Sequence, residues 1–471
     1  MILFAVYVRI FAKFTEKPAI MLKKIPKQPQ IEMFQPLLIS FIYPNHELCL
    51  LARKIDWDAL EKEFAPLYSH IGRPSIPIRT IVGLLLLKQM FNHGDETVME
   101  RWIENPYWQH FCGEIYFQYT LPFDPSDFVH FRKRIGEEGM KIIFQQSILL
   151  FGKETLKKAT KEVRIDTTVQ EKNITFPTDR KLYTKTLQYC HRIARKEGIR
   201  FKRTYARKIQ ELQYQLRFAR KPKNYKKLSK LQGKYYKIVV KIYNDLIDQL
   251  TEDQQDLHYD TLDVLYRVLT QKRQDKDKVY SIHEPHVRCI AKGKEHKAYE
   301  FGNKSSFAYT REGGIIVGAL AFGDNPYDGH TLEPQLEQIK ELTGYNPKVA
   351  IVDRGYRGQD MIGKTQVVLP KNLKRESYYR KQQRKARQRS RAGVEGLISH
   401  LKTDHRMLKN YLSGDIGDKI NTLLAASAYN MKKWMRITKQ EMIFWLFRLF
   451  LQRDYNALEF VQISTGLKKW D

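Results

Sequence analysis

Three of the 52 acids in this chain are candidates for phosphodiester chemistry, should the fold bring them together. Asp166 lies in VRIDTTV, Asp353 follows KVAIV, and Glu395 is the lone carboxylate of SRAGVEGLISHLK, in a stretch crowded with Lys and Arg. A phosphodiester is anionic and repels an anionic nucleophile. Two divalent cations about 3.5–4 Å apart stabilise both the attacking and the leaving oxygen of an in-line displacement. Magnesium takes oxygen ligands and keeps several waters, so a few converging carboxylates suffice. Arg391 and Lys402 accompany Glu395. At about 100° per residue the three fall within roughly 40° on one helix, so the cations could meet a diester while the Glu meets a metal. Plainer readings stand beside this one. An Asp at a strand end commonly caps a turn, and Arg391 and Glu395 have the i, i+4 spacing of an ion pair worth about 0.2–0.5 kcal/mol. His283, His286 and His296 fit no common zinc spacing and read as polar strand residues.

The elements that must position these acids are legible in outline. VRIDTTV alternates, with Val163 and Ile165 on one face and Arg164 and Asp166 on the other, which predicts a strand. NITFPTD reads as a short partner strand. Val349 to Val352 is an unbroken apolar run, expected of a strand buried on both faces, and it places Asp353 at the strand's C-terminal end. QVVLP reads as another buried strand. VYSIHEPHVRCIAKG, KAYEFGNKSSFAYT and GGIIVGALAFGDN read as further strands, and HTLEPQLEQIKELTG as a helix closed by Gly344. The very basic segment Lys371 to Arg391 leads into a last helix. Its Val394, Leu397, Ile398 and Leu401 form a face to pack on the sheet, with Glu395 at the seam. Polar ends of buried strands in an α/β sheet are a frequent place for active sites.

Residues 47–150 read as helical. IVGLLLLKQMF is a buried helix, ETVMERWIENPYWQHFCG continues in that style, and Asp124-Pro125-Ser126-Asp127 reads as a helix start with Asp124 as its cap. A DNA-reading domain and a plain helical bundle both fit. Between 181 and 240 there are 19 Lys and Arg against Glu197 and Glu211, with tyrosines and aliphatics at roughly helical spacing. This predicts a basic helical hairpin suited to phosphate contact. The whole chain has 82 Lys and Arg against 52 Asp and Glu, an excess that favours polyanions, nucleic acid first and anionic membrane second. Four scattered cysteines without a CxxC pair argue against a zinc site or disulfide framework and for a reducing cytosol. MILFAVYVRIFAKF lacks a leading basic region and is cut by Arg9 and Lys13, so neither a signal peptide nor a membrane span is expected. Met21 and Met33 are alternative starts, which makes 1–32 a candidate upstream extension. EMIFWLFRLFLQ is too short to span a bilayer and reads as a packed or dimer-forming helix.

Over most of 45–435 the chain resembles bacterial insertion-sequence transposases of the DDE class, in the insertion-sequence-five group. GRPSIPIRTIVGLLLLKQMFN, ENPYWQHFCGE and LPFDPSDFVHFRKRIGEEG resemble the N-terminal helical domain of that family. RIDTTVQEKNITFPTD, SIHEPHVRCIAKGKEHKAYEFGNKSSFA, NPYDGHTLEPQLEQ, VAIVDRGYRG and RSRAGVEGLISHLKTDHRM resemble its catalytic segments. The resemblance implies an α/β RNase-H-like catalytic core with Asp166, Asp353 and Glu395 as catalytic acids and metal ligands. Two Mg²⁺ ions, replaceable by Mn²⁺, would serve them. Arg391, Glu395 and Lys402 match the family's Tyr–Arg–Glu–Lys signature, whereas its Tyr position falls on Gln388. Arg391, Lys402, Arg354 and Arg357 are the expected DNA contacts. The implied activity is cleavage at the element's ends and joining of the 3′-hydroxyl to a target. Its partners would be double-stranded DNA (terminal inverted repeats and target site) and a second copy in a synaptic homodimer, in the cytoplasm and away from membrane. The long gap between the first two acids requires an insertion. The expected organisation is an extension over 1–40, a helical domain over 41–150, a core over 151–184 and 273–435, a basic helical insertion over 185–272 and a helical tail over 436–471. An RNase-H-like nuclease without strand transfer and an inactive or domesticated DNA-binding protein are the alternatives.

Overall fold

The structure is a computed structural model that describes residues 35–68, 75–218, 225–294, 297–358, 360–370 and 377–465. The expected extension over 1–32, His296 and the start of the basic segment at 371–376 lie outside the described residues.

The chain opens with helices α1 (Leu38–Phe41), α2 (Glu47–Lys54), α3 (Trp57–Phe64), α4 (Ile78–Met90), α5 (Asp95–Glu104), α6 (Pro106–Phe111), α7 (Asp127–Leu149) and α8 (Lys153–Ala159). In α4 every residue except Arg79 is buried, as expected for a helix that is apolar all round. The expected cap at Asp124 organises a turn ahead of the helix instead. Its Oδ1 accepts from the Ser126 N–H at 2.8 Å, and α7 begins three residues later at Asp127. Within α7 the chain kinks at Gly136, whose φ of 58° glycine adopts without a Cβ clash.

Strand β1 (Glu162–Glu171) follows, with Val163 and Ile165 fully buried on one face as the alternation predicts. Next come helices α9 (Asp179–Lys196), α10 (Ala206–Phe218), α11 (Tyr225–Ile247), α12 (Glu252–Leu257) and α13 (Tyr259–Thr270). The chain returns through β2 (Arg288–Lys294), β3 (Lys297–Thr310), β4 (Ile316–Phe322), α14 (Leu332–Thr343), β5 (Val349–Ile351), β6 (Met361–Ile362) and β7 (Thr365–Val368). It ends in α15 (Tyr378–Ser390), α16 (Gly393–Asp404) and α17 (Gly414–Thr465). The protein is therefore mixed α/β with a helical N-terminal region.

The seven strands of the described residues form one mixed sheet. β1 runs antiparallel to β3 and parallel to β5, and β5 runs parallel to β7. β2 and β4 share the far edge of β3, β2 along its first half and β4 along its second. Gly302 sits where β3 crosses from one partner to the other, and a Cβ there would collide with the Gln170 carbonyl.

Two expectations fail here. NITFPTD is not a strand: residues 173–178 are irregular. Pro177 has no N–H to give a ladder, and Thr178 caps α9 by accepting from Lys181. His283 and His286 lie in the loop before β2, not in a strand. His283 bonds Ser281, and His286 meets the buried Asp418 and Glu284 carboxylates at 3.3 and 3.4 Å.

Helices α9 to α13 have a hydrophobic centre of their own, around Leu187, Cys190, Tyr235, Val239, Ile242 and Leu265. Tyr235 and Tyr243 are part of that centre, as their helical spacing with the aliphatics allows. Tyr235 is fully buried, and its hydroxyl meets Thr184 and Gln213 at 2.9 and 3.0 Å.

Helix α17 packs on α7, α4 and β4 and continues without a break through 435–436 and EMIFWLFRLFLQ. Among the described residues no helix is long and apolar enough to cross a membrane. A buried polar chain ties the helical region to the sheet: Gln89 of α4 donates to the His405 carbonyl and to Asn421, and Asn421 donates to Gln170 of β1.

Candidate active site

The parallel pairing of β1 with β5 brings the first two acids together. Arg164 stands opposite Ile351, so two residues further along each chain lie Asp166 and Asp353. Asp166 Oδ1 accepts from the Thr167 N–H at 2.9 Å. Asp353 closes the strand end by accepting from the Gly355 N–H at 2.7 Å, capping the single 3-10 turn Arg354–Tyr356. One guanidinium joins the acids: Arg391 Nη2 lies 3.4 Å from Asp166 and 3.7 Å from Asp353.

Arg391 is brought there by a seam along β1. Glu162, Arg164 and Asp166 alternate onto one face and meet successive residues of the α15 end. Arg387 bonds Glu162 at 2.6 Å, Arg164 donates to Ser390 Oγ at 3.1 Å, and Arg391 reaches Asp166. The expected single helix through 390–402 is broken at this point. α15 ends at Ser390, Arg391 is its C-cap, and α16 begins at Gly393. Arg391 and Glu395 therefore do not share a helix face, and Arg391 pairs with the two Asp residues rather than with Glu395.

Glu395 occupies the first turn of α16, where a carboxylate suits the helix dipole. It is exposed and, among the described residues, has no hydrogen bond or ion pair. The aliphatic face is as the periodicity predicts: Val394, Leu397 and Leu401 are buried and Ile398 partly so. Lys402 is half-buried in the last turn of α16, while Arg354 and Arg357 are exposed on the turn after Asp353. Gln388, at the signature's Tyr position, donates to the Val368 carbonyl of β7 at 2.9 Å and so fixes α15 to the sheet.

Burial pushes the Asp166 carboxyl above its ordinary range; Arg391 pulls it back and Asp353 pushes it further up. The Tyr356 phenol, buried beneath the turn, is held well above its usual value by burial and then by Asp166, Asp328 and Asp353. Among the described residues no three Asp, Glu, His or Cys side chains converge into a ready set of metal ligands. The donor chemistry nonetheless fits a hard divalent cation. Two carboxylates face one place, and a positive group already occupies it.

Two residues that sequence reasoning missed belong to this neighbourhood. Glu162 shares the alternating face of Asp166 and could have been found from that spacing. Asp328, in DGHT ahead of α14, reads as an ordinary acid at a helix start; only the fold carries it to Thr167 and Lys304.

The Transposase domain (DUF772) family matches residues 37–134, and the Transposase DDE domain family matches residues 267–431. The chain belongs to the DDE transposases of insertion sequences. The transposase is also similar to the uncharacterized protein ORF8 in the nfe locus of Rhizobium meliloti. The two are 39% identical over 184 residues, which cover 39% of this chain and 89% of that protein. No solved structure matches it. Family membership makes this a DNA transposase, an enzyme acting on DNA, and divalent metal ions are the cofactors such enzymes use. Asp353, Arg391 and Glu395 lie inside the DDE match, whereas Asp166 lies between the two matched segments.

Proposed function

We propose that this transposase cuts phosphodiester bonds at the ends of its insertion sequence and joins the freed 3′-hydroxyl to target DNA. Asp166, Asp353 and Glu395 are its catalytic acids. The observation that carries this reading is the single Arg391 guanidinium held between Asp166 and Asp353 at the ends of two parallel strands. The strand order β4-β3-β1-β5-β7, antiparallel through β1 and parallel beyond it, supports an RNase-H-like core. The motifs along 45–435 support the insertion-sequence-five group.

Asp166, Asp353 and Glu395 would hold two Mg²⁺ ions, with Mn²⁺ as a substitute. When bound, these ions make water a nucleophile and stabilise the attacking and leaving oxygens. Asp166 and Asp353 are preset by their backbone N–H contacts, while Glu395, exposed in the first turn of α16, would have to be brought to them when the metal and DNA bind. Arg391 keeps the two acids together and stands beside the scissile phosphate with Lys402. Arg354 and Arg357, exposed beside Asp353, take the neighbouring backbone phosphates. The helical region over 41–150 reads the terminal repeats, and the basic helices between the core segments hold flanking DNA. Two copies form the synaptic complex.

The test is cleavage and joining of a labelled DNA end from the gene's own flanks, in Mg²⁺ or Mn²⁺. Wild type should cut and join, whereas Glu395→Gln and Asp166→Asn should bind the DNA and do neither. Variants that cut as well as wild type overturn the assignment. Cutting without joining by wild type would reduce the activity to that of a nuclease.

A further inference from the structure

A fourth acid stands against this site. Asp328 opens a single 3-10 turn, Asp328–Thr331, ahead of α14, where a carboxylate would ordinarily serve the helix that follows. Its bonds run elsewhere. Oδ1 accepts from Thr167 Oγ1 and from Lys304 Nζ, each at 2.9 Å, both donors coming from the sheet. Lys304 is itself fixed by the Pro326 carbonyl at 2.5 Å. The other oxygen, Oδ2, lies against the Asp353 turn. A Cβ at Gly355 would come within 2.9 Å of Asp328 Oδ2 and 2.8 Å of Asp353 Oδ1, so any side chain there would have to push one of the two carboxylates aside.

Asp328 therefore touches the residue next to Asp166 on one side and the loop that Asp353 caps on the other. Its charge is offset by Lys304, as those of Asp166 and Asp353 are offset by Arg391. Two sets of contacts result: Arg391 pairs with both acids, and Asp328 links Lys304 and Thr167 to the turn that Asp353 caps.

We propose that Asp328 is a positioning residue of the active site, bracing the Asp166 strand and the Asp353 turn at the separation a shared divalent cation requires. This inference rests on the functional reading of Asp166 and Asp353 given above. Asp328 acts through Thr167 and the Gly355 turn, and it takes no part in the bonds that break or form. Its removal loosens the cation site without removing a ligand. The cost falls on metal affinity, as is usual for residues that orient ligands, at about 10–100-fold.

The experiment uses the full-length transposase and its Asp328→Asn variant. Binding of Mn²⁺ is read directly from the free-ion resonance signal without DNA. End cleavage is titrated with Mg²⁺, and DNA binding is measured in chelator. Asp328→Asn should weaken Mn²⁺ binding and raise the half-saturating Mg²⁺ about tenfold or more. The shift in both metal midpoints is the deciding readout, and DNA binding in chelator should not change. A merely structural role would lower the yield of active protein but leave both metal midpoints in place, and that result overturns the proposal. Should Asp328→Asn not fold, Thr167→Val removes one anchor more gently and must shift both midpoints in the same direction. Asp166→Asn is the control for the underlying reading. If it keeps full Mn²⁺ binding and cleavage, the site itself is misplaced. If it loses both while Asp328→Asn changes neither midpoint, the site stands and the bracing role falls.

Discussion

Glu162 and Arg387 form a two-pronged contact, Nη2 and Nε of the guanidinium lying 2.6 and 3.1 Å from one carboxylate oxygen. The other oxygen takes Arg311. This pair stands four residues before Asp166 on the same face of β1, and one helical turn before Arg391 on α15. It fixes where α15 lands, and hence where Arg391 meets the acids. Glu162→Gln should cost about 1.5–3 kcal/mol of unfolding free energy, the range for hydrogen bonds to charged groups. It should also lower end cleavage, while DNA binding in chelator is kept. Denaturant unfolding and the cleavage assay check this; an unchanged cleavage rate would show that the seam is not needed to place Arg391. The two arginines outweigh burial and hold the Glu162 carboxyl below its ordinary range. A depressed carboxyl contributes stability above its unfolded value and loses it as pH falls. The stability difference between wild type and Glu162→Gln should therefore shrink in acid.

Asp166 shows the opposite sign. Burial raises its folded-state value above the unfolded one, so the contribution of its neutral form is lost as pH rises through that raised value. At neutral pH, in chelator, the ionised acid destabilises the fold. Asp166→Asn should therefore melt at or above wild type in chelator. Adding Mg²⁺ or Mn²⁺ should raise the melting temperature of wild type and not of the variant, because a ligand that binds only the native state stabilises it. Thermal melts with and without the cation decide the matter; an equal cation-dependent rise in both proteins would remove Asp166 from the ligand set.

How much of this was readable from residues alone differs from one element to the next. The strands bearing Asp166 and Asp353 are legible because alternation and an unbroken apolar run are local signals. Their parallel adjacency is not, because register between segments so far apart in sequence is a tertiary fact. The break at Arg391–Ala392 has no proline to announce it. Only Gly393 hints at it, and the helical pattern of Val394 to Leu401 extends back over it by eye. NITFPTD is rich in β-formers, yet Pro177 and the capping role of Thr178 commit it to entering α9. The tyrosines after 181 recur with aliphatics at helical spacing, and that spacing is a core pattern: Tyr235 and Tyr243 lie in the centre of the helices they sit on. Asp328 carries no local mark of its tie to Thr167, since the two approach only when α14 packs on the sheet.

His405 makes a separate prediction, at the joint between the helical region and the core. The imidazole is buried, faces the Gln89 carbonyl through Nδ1 at 3.3 Å, and is pushed down to about 4, chiefly by burial. The folded state keeps it neutral while the unfolded chain takes a proton near 6.5, so stability falls as pH drops from about 6.5 to about 4. At about 1.4 kcal/mol per unit, the loss approaches roughly 3 kcal/mol by the bottom of that window. Denaturation at pH 7 and pH 4.5 should show this slope in wild type, and a flatter one in His405→Gln. Equal slopes would mean that another group drives acid unfolding.

The basic helices between β1 and β2 give the last prediction. Once the inward tyrosines are set aside, the outward face of α11 still carries Lys226, Lys227, Lys230 and Lys237, all exposed. Exposed lysines without a packing role are free to meet phosphates, and each phosphate neutralised releases condensed counterions. The logarithm of DNA affinity should then fall with the logarithm of salt by about 0.9 per contact. Replacing these four lysines by Gln should reduce the steepness of that line by up to about 3–4 while leaving unfolding free energy within about 0.5 kcal/mol of wild type. Binding of a flanking DNA end at several salt concentrations measures the slope directly. A parallel line at lower affinity would place the loss outside phosphate contact. An identical line would leave the DNA path to Arg354, Arg357 and the α15 arginines, making the helical insertion a spacer rather than a DNA-holding element.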